Sequence, residues 1–570
     1  AGTDWDSPAW VKPYHILTLG SGTSQVKIGV IGLTTDETPN VTLRGTTDGI
    51  VFKDMTAAVL HYYDEVAAQA DAVILLAHMG KDDSAGFKGM KTVAQELIDA
   101  GKPVPLIISG HAHEALEAPV WVGHTAIVQA NYAGRKLGRI DVVIDPWAKT
   151  FTIKQAKLIT INNKLPADKA IADRVQYWAD LVAPILAEPV GTAVVDLVRN
   201  YNGESNMGNL VADSMLWKAD EYDDGVVNGS VQVAFTNAGG LRADIKAPAG
   251  AELPYNLTWG DTFSVLPFAN TLFLMDLTGA QIQSLVNQAA TLYKGILQSS
   301  GITWRWYNDC GCATPTESYA YDVRIGGHLL DPAATYRVVT NNFLATGGDN
   351  FSAFNQGTNR WDTYFDMQLG LNEYIEYYNQ AFGPIDHAID GRIQFTINKA
   401  HDTFINRYAA STNYATQPLV WVGWKQQFAG LIHFPVKLPA TAVVDWAALQ
   451  VYAAGWSGNN LSVGAYAVQR EWMADEATWT NATSLVPWGA PGCRDAATDR
   501  FEPAEWVEAT VGPRRWYSFD VTDLAQAWVN GEVPNYGVLL EADPAVATYF
   551  FASSENGDVA VRPRLVIRWH

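Results

Sequence analysis

The stretch LIISGHAHEALEAP, residues 106–119, decides the fold of the first part of the chain. It begins with a short apolar run, which is typical of a buried strand, and passes through a glycine to His111 and His113. The earlier stretch DAVILLAHMG, residues 71–80, has the same form and reaches His78 near its end. Neighbouring parallel strands bring their carboxyl ends to one sheet edge, so we expect these three imidazoles to lie together. Neutral imidazole is a common ligand of transition metals, and the pattern therefore predicts a metal site.

The segments around these two strands alternate between strand and helix. KIGVIGL, residues 27–33, reads as a buried strand, and residues 54–70 have helical spacing. This alternation predicts a layered α/β domain, followed by one long helix over residues 166–188 that would connect two domains. Residues 190–398 are again mixed α/β. From residue 401 onward, short alternating strands separated by turns predict an antiparallel β-sandwich.

Composition limits the possible partners. The net charge of −21 repels phosphate backbones and anionic membranes, so we expect no nucleic-acid partner. No apolar run approaches the roughly 20 residues that span a bilayer, so no membrane span is expected. The three cysteines are Cys310, Cys312 and Cys493. A bridge between Cys310 and Cys312 would be tight, and free thiols or another pairing are equally compatible with the sequence.

Several separate motifs then occur in one order along the chain. They are HMG (78–80), GHAH (110–113), ESNMGNLVADSML (204–216), NAGGLRADI (237–245), GDTFSVLPFANTL (260–272) and YRVVTNNFLATGGDNF (336–351). In these motifs the chain resembles the secreted 5'-nucleotidases of the calcineurin-like metallophosphoesterase superfamily, from about residue 10 to residue 398. The resemblance implies hydrolysis of a phosphate ester by a water held between two divalent metal ions, Zn, Mn or similar.

The resemblance also implies roles for particular residues. His78, His111 and His113 match three of the metal ligands. Phe268 and Phe343 match the two phenylalanines that stack on the nucleobase, and Asp349 matches the acceptor for the ribose hydroxyls. Asn237 and Arg242 match polar contacts to the base and phosphate sides, and Gly239 and Gly240 would let the backbone approach the ligand. These seven residues are the expected substrate-binding set.

Two departures from the family pattern affect the predicted chemistry. The acidic metal motifs of the family, an Asp-x-His pair, a Gly-Asp and a Gly-Asn-His-Glu block, open the family's metal domain, and none of them occurs before His78 in this sequence. We therefore expect the metal-binding domain to be incomplete at its amino-terminal side and the carboxylate ligands to lie outside these 570 residues. They would come from a segment upstream of residue 1 or from a second polypeptide; alternatively the domain has lost catalysis and folds against a partner. No catalytic residue is certain within the chain, and Tyr201 stands where the family usually has arginine.

The last part of the chain resembles a DNRLRE-type β-sandwich related to carbohydrate-binding modules. The stretches that carry this resemblance include HDTFI (401–405), EWMADEATWTN (471–481) and RPRLVIRW (562–569). Exposed tryptophans could stack on the sugar rings of a cell-surface polysaccharide. Alternatively, Trp472, Trp479 and Trp528 form the core of the sandwich. The domain could equally contact neighbouring subunits.

These inferences combine into one prediction. The fold class is α/β, with a four-layer, N-terminally incomplete metallophosphoesterase-like domain (1–165), a linker helix (166–189), an α+β substrate domain (190–398) and an all-β sandwich (401–570). The predicted function is that of a secreted or cell-surface bacterial phosphohydrolase that releases phosphate from nucleoside 5'-monophosphates or related nucleotides. The alternative is a non-catalytic surface, assembly or glycan-binding protein that reuses the fold.

Overall fold

A computed structural model describes residues 5, 10–22, 25–42, 46–83, 86–222 and 231–570. The chain divides into two compact units, Ala1–Leu186 with Thr346–Ser352, and Ala187–Ala345 with Ala353–His570. The strands of the first unit are β1 Tyr14–Leu19, β2 Val26–Thr34, β3 Ala72–His78, β4 Leu106–Ile108, β5 Val120–Val122, β6 Thr125–Val128, β7 Lys136–Asp145 and β8 Thr150–Thr160. Its helices are α1 Thr38–Val41, α2 Met55–Ala67, α3 Met90–Asp99 and α4 Lys169–Leu186.

The first unit is built on a six-stranded sheet in the order β1-β2-β3-β4-β6-β5. Strands β2, β3, β4 and β6 run parallel, as the alternation of strand and helix predicts. Helices α2 and α3 bury their apolar positions against this sheet, for example Val59 and Leu97 against Leu75 and Ile107. Burial of such apolar faces is what holds the helices in place, at about 25 cal/mol per Å². Helix α4, in contrast, has no buried residue.

The second unit contains the remaining elements. Its strands are β9 Pro189–Ala193, β10 Val231–Asn237, β11 Tyr255–Thr258, β12 Thr271–Thr278, β13 Leu297–Ser300, β14 Ile302–Asn308, β15 Ser318–Ile325, β16 His328–Leu329, β17 Thr335–Asn341, β18 Thr358–Asp366, β19 Ile393–Ile397, β20 His401–Asn406, β21 Leu419–Gly423, β22 Phe428–His433, β23 Val444–Ser457, β24 Leu461–Ala467, β25 Trp506–Thr510, β26 Arg515–Asp520, β27 Val538–Ala542, β28 Thr548–Ala552 and β29 Arg564–Trp569. Its helices are α5 Asn206–Tyr222, α6 Trp259–Val265, α7 Gly279–Ala289, α8 Asn342–Ala345, α9 Met367–Ala381 and α10 Thr522–Asn530.

Two sheets organise the second unit. A five-stranded sheet has the order β13-β10-β17-β12-β18. Helices α5 and α9 contact each other, and their buried positions, such as Leu210 and Leu371, share a core with Leu274 and Val339 of this sheet. A larger, mostly antiparallel sheet contains the strands from β19 onward. The predicted fold class, mixed α/β followed by an all-β region, is confirmed.

One strand joins the mixed α/β part of the second unit, residues 187–392, to the β-region, residues 393–570. β19 pairs in parallel with β14 on one side and antiparallel with β29 on the other. The rings of Trp306, Phe395 and Trp569 meet at this junction, and the Asn200 side-chain amide donates to the Trp569 carbonyl at 2.9 Å. The two regions therefore form one continuous sheet rather than two separate bodies joined by a flexible connector.

The structure resolves the alternatives for the cysteines. Cys310 and Cys312 form a disulfide, with their Cα atoms 5.2 Å apart, which is within the usual range for a bridge. Cys493 is a free, buried thiol whose pKa is raised by burial. In the β-region Trp479 is buried in the core, whereas Trp472 and Trp528 are only half-buried. Among the described residues, no helix combines the length and the apolar character that crossing a bilayer requires.

Candidate functional site

The first candidate site lies at the carboxyl edge of the sheet in the first unit. His78 is the last residue of β3 and pairs with Thr34, the last residue of β2. β4 ends at Ile108, so the loop that follows carries His111 to the same edge. The His78 and His111 rings lie 5.1 Å apart in an edge-to-face arrangement. The structure thus brings these two imidazoles together, as the positions of the strand ends predict.

His113 is placed differently from the other two histidines. Its ring stacks on Tyr132, with the ring centroids 4.6 Å apart. His113 still lies near enough to His78 to affect its pKa. Burial is the main cause that lowers the pKa of His78, and the neighbouring His111 and His113 lower it further. A lowered pKa favours the neutral imidazole, which is the form that binds metal.

The loop that carries the histidines has a strained backbone. His111 and His113 both adopt left-handed conformations, with φ of 66° and 55°. Such angles are uncommon for residues other than glycine, and in folded proteins this kind of strain is concentrated at functional sites. Gly80 in the loop after β3 makes room for this conformation, because a Cβ there would lie 2.8 Å from the Ala112 Cβ. The two histidine loops are therefore in close contact.

A carboxylate that sequence reasoning missed lies beside these histidines. His111 Nε2 is 3.2 Å from the Glu37 carboxylate, whose side chain is only 3% exposed. The neighbouring Asp36 is half-buried, burial raises its pKa, and its Oδ1 accepts no hydrogen bond from the described residues. Glu37 is therefore a carboxylate of this chain in contact with His111, whereas the expectation that the acidic metal ligands lie outside the chain stays a prediction. Because Glu37 comes three residues after the end of β2, its position beyond a strand end was the available signal.

These side chains do not form a complete metal site. Within the part of the chain that the structure describes, no three histidine, cysteine, aspartate or glutamate side chains are grouped closely enough to hold a metal ion. The chemistry of the ligands suits a transition metal, but their number does not, because a tetrahedral site uses at least three protein ligands. The assignment of His78, His111 and His113 as ligands remains a prediction.

The second candidate site lies at one edge of the five-stranded sheet in the second unit. β10 and β17 run parallel, and they end at Asn237 and Asn341. β12 runs antiparallel to β17, and Leu272 near its start pairs with Asn341. The segment before β12 and the segment after β17 therefore lie at the same edge. Phe268 belongs to the first of these segments and Phe343 to the second.

Several predicted substrate residues contact one another at this edge. The Asn341 side-chain amide donates to Asn237 Oδ1 at 3.2 Å. The Arg242 guanidinium lies over the Phe268 ring, 5.5 Å from its centroid, and donates to the Gly239 carbonyl at 2.9 Å. Phe268 is 54% exposed, and Arg242 is also exposed. An exposed aromatic face beside a cation can stack on a base and bind an anion at the same place.

The other predicted residues are more enclosed. Phe343 is half-buried in α8. Asp349 lies in the segment Thr346–Ser352, which belongs to the first unit, and it has a left-handed backbone conformation, with φ of 54°. A Cβ on Gly240 would lie 2.8 Å from Asn237 Oδ1, whereas one on Gly239 would meet nothing closer than 3.8 Å. Close packing therefore requires a glycine at position 240 but not at position 239.

Glu204, which opens the ESNMGN motif, and Arg199, which precedes the motif, both make contacts that hold the local structure. The buried Glu204 carboxylate accepts hydrogen bonds from the Asn209 amide and from the backbone N–H groups of residues 390, 391 and 393. Its role here is to hold the chain segment before β19. Arg199, the arginine nearest to Tyr201 in sequence, donates from Nε to Asp244 Oδ1 at 2.9 Å. The Arg199 side chain is thus already engaged in an ion pair.

Comparison with known proteins agrees with this organisation. Residues 188–356 match the family model described as 5'-nucleotidase, C-terminal domain, and residues 393–569 match that of carbohydrate-binding module family 96. The predicted carbohydrate-binding resemblance is thereby confirmed, whereas its DNRLRE label is not. The crystal structure of a 5'-nucleotidase precursor from Thermus thermophilus is 27% identical and matches 67% of this chain and 74% of that chain, with a TM-score of 0.53.

Curated relatives extend the similarity over most of the chain. A 5'-nucleotidase from Diplobatis ommata is 28% identical over 70% of this chain and 70% of its own length. The trifunctional nucleotide phosphoesterase protein YfkN of Bacillus subtilis is 27% identical over 73% of this chain. The chain spans only 28% of the length of YfkN and 45% of that of the Listeria monocytogenes cell wall protein Lmo0130. The chain is thus similar to 5'-nucleotidases and related phosphoesterases, with one segment that matches the 5'-nucleotidase C-terminal domain and a later one that matches carbohydrate-binding module family 96.

Proposed function

We propose that the chain binds nucleoside 5'-monophosphates or related nucleotides and takes part in the release of their phosphate. The observation that carries this proposal is the pairing of the exposed Phe268 ring with the Arg242 guanidinium at the edge that also holds Asn237. A nucleobase gains about 1–3 kcal/mol from stacking on an aromatic ring, and arginine suits phosphate through its planar set of donors. In this proposal Phe343 completes the contacts to the nucleobase, and Asp349 keeps its predicted role as acceptor for the ribose hydroxyls.

Phosphate release would require divalent metal ions in addition to this binding site. His78 and His111 would contribute imidazole ligands and His113 a third, and the Glu37 carboxylate lies beside His111. Because the described residues do not form a full site, other ligands would have to come from outside them. We further propose that the chain has the four parts predicted from its sequence. We also propose that it is secreted or located at the cell surface.

Equilibrium binding tests the proposal without requiring catalysis. Titration calorimetry of the full chain with AMP should detect binding, and Phe343→Ala should weaken it by about 5- to 150-fold, which corresponds to about 1–3 kcal/mol of stacking. Phe343→Tyr keeps an aromatic ring and should bind AMP nearly as well as the unchanged chain. An unchanged affinity in Phe343→Ala would refute the stacking role. Phosphate release from AMP, measured with and without added Zn²⁺ or Mn²⁺, then tests hydrolysis separately.

A second candidate function is glycan binding by the β-region. It is favoured by the match of residues 393–569 to carbohydrate-binding module family 96. A polysaccharide at the cell surface would then be a partner of the same chain that binds the nucleotide. Retention of the chain on immobilised polysaccharides, with elution by the soluble form, tests this function independently of nucleotide binding.

A further inference from the structure

Tyr201 adjoins the candidate nucleotide site at the edge of the five-stranded sheet. A Cβ on Gly239, two residues after Asn237, would lie 3.8 Å from Tyr201 Cε2, and a Cβ on Gly295 would lie 2.9 Å from Tyr201 Cε1. The Tyr201 ring therefore packs against the backbone of both glycines. The residue is nevertheless 47% exposed, so the ring presents an open surface beside the nucleotide site.

Hydrogen bonds hold the loop that carries Tyr201. The Tyr201 carbonyl accepts from the Ile296 N–H at 2.9 Å, directly before β13. The Gln298 side-chain amide donates to the Gly203 carbonyl at 2.8 Å and to the Asn200 carbonyl at 3.4 Å. Because this backbone is fixed in advance, the Tyr201 side chain loses less conformational entropy when a ligand covers it.

A series of contacts connects Tyr201 with two other predicted substrate residues. The Arg242 guanidinium lies over the Phe268 ring, 5.5 Å from its centroid, and donates to the Gly239 carbonyl at 2.9 Å. Gly239 in turn adjoins the Tyr201 ring. Phe268 and Arg242 are exposed, as Tyr201 is. The edge therefore offers a ring, a cation and a second ring in succession.

Tyrosine at position 201 also changes the charge of the site, because the family resemblance predicts an arginine there. Arg199 does not supply the missing cation, since its Nε pairs with Asp244 Oδ1 at 2.9 Å. A terminal phosphate carries about two negative charges at pH 7, whereas a phosphate esterified on both sides carries about one. On a chain with a net charge of −21, the loss of one guanidinium disfavours the doubly charged group more strongly.

We propose that Tyr201 determines specificity, and that the site prefers nucleotides whose phosphate links the nucleoside to a second ring-bearing group. Dinucleotides and nucleoside diphosphate sugars both have this chemistry. The nucleobase stacks on Phe268 and Phe343, Arg242 donates to the linking phosphate, and the second ring covers Tyr201. A 5'-monophosphate makes the first two contacts and leaves the Tyr201 ring in water. The inference deepens the proposed nucleotide binding and rests on it.

Titration calorimetry of the full chain with ADP, ADP-glucose and diadenosine diphosphate measures this preference, with EDTA present so that no ligand is hydrolysed. Diadenosine diphosphate should bind about 5- to 150-fold more tightly than ADP through stacking of its second base, whereas its two equivalent ends alone give about twofold. An equal gain for ADP-glucose would show that the second group is any ring, and a gain for the dinucleotide alone would show that it is a base.

Substitutions at position 201 test whether this residue causes the preference. Tyr201→Ala should reduce the ratio of the diadenosine diphosphate and ADP affinities to about the twofold that symmetry gives, and Tyr201→Phe should preserve the full ratio. Tyr201→Arg should lower the ratio and strengthen ADP binding, because a second guanidinium then contacts phosphate. Tyr408→Ala, which removes a 68% exposed tyrosine of the β-region, is the matched control and should leave the ratio unchanged.

Other results would overturn the proposal. If ADP binds as tightly as both larger ligands, there is no second ring contact; if Tyr201→Ala keeps the full ratio, Tyr201 does not cause it. If AMP binds and Phe343→Ala weakens it while the larger ligands gain nothing, the proposed nucleotide binding survives and this specificity fails. If no adenine nucleotide binds, both fail. Thermal unfolding establishes that each variant is folded, and Tyr201→Arg still tests the ratio if Tyr201→Ala does not fold.

Discussion

Asp402 and His433 should give the β-region two opposite dependences on pH. Burial raises the pKa of Asp402 from 3.8 to about 6, Glu555 adds to the increase, and Ser554 and Arg562 oppose it. Burial and the neighbouring His401 lower the pKa of His433 from 6.5 to about 4. Both groups are thus held towards their neutral forms in the folded state, but one is an acid and the other a base.

The signs and sizes of the two effects follow from linkage. A pKa difference of one between folded and unfolded chains corresponds to about 1.4 kcal/mol. For His433 the unfolded chain binds more protons between pH 6.5 and 4, so about 2–3 kcal/mol of stability is lost as the pH falls through this window. For Asp402 the folded chain binds more protons between pH 3.8 and 6, so a similar amount is lost as the pH rises. In the unchanged chain the two contributions largely cancel.

Single substitutions should reveal each contribution separately. Asp402→Asn leaves only the His433 effect, so its free energy of unfolding should fall by about 2–3 kcal/mol, relative to the unchanged chain, when the pH is lowered from 7 to 4. His433→Gln should show the reverse, with stability falling as the pH rises from 4 to 7. Urea unfolding followed by tryptophan fluorescence at several pH values measures both, with Glu532→Gln as the control. Parallel pH profiles for the two variants would refute the reasoning.

Five further substitutions test the proposed nucleotide-binding edge of the five-stranded sheet and the Glu204 contacts that support the segment before β19. Phe268→Ala should weaken AMP binding about 5- to 150-fold but cost less than about 1.5 kcal/mol of stability, because the ring is 54% exposed; calorimetry and urea unfolding measure the two effects. Gly240→Ala should displace the Asn237 amide and weaken AMP binding, whereas Gly239→Ala should not, in the same titration. Glu204→Ala should lower the free energy of unfolding by about 3 kcal/mol or more and Glu204→Gln by less, because several buried donors lose their acceptor in the first variant.

Much of the fold, and part of each candidate site, could be predicted from the positions in the sequence at which strands end. Short apolar runs specify β2, β3 and β4, and parallel strands must end at a common edge, so the meeting of His78 and His111 could be predicted. The grouping of Phe268 with Arg242 was expected from the resemblance alone. The prediction that the two histidines lie close together succeeds because it depends on backbone direction, which the apolar pattern encodes.

Other features depend on loop and side-chain geometry, which the pattern does not encode. The His113 ring turns to Tyr132 although it is only two residues from His111. Glu37 contacts His111 across 74 residues of sequence, and its position just beyond the end of β2 places it at the same sheet edge without specifying that contact. The bridge between Cys310 and Cys312 depends on a local turn through Gly311, whose φ is 57°. In each case a few dihedral angles decide which side chains meet.

The shared sheet links the two proposed functions physically. Only three residues, 398–400, separate β19 from β20. The β-region is therefore not connected to the mixed α/β part of the second unit by a long linker. Its last strand, β29, pairs with β19 and covers Phe395 with Trp569. Without β29, β19 would present an unpaired edge and an exposed aromatic surface, which favours aggregation. A glycan bound by the β-region would therefore hold the nucleotide edge of the same unit at a fixed position relative to the polymer, rather than at the end of a flexible linker.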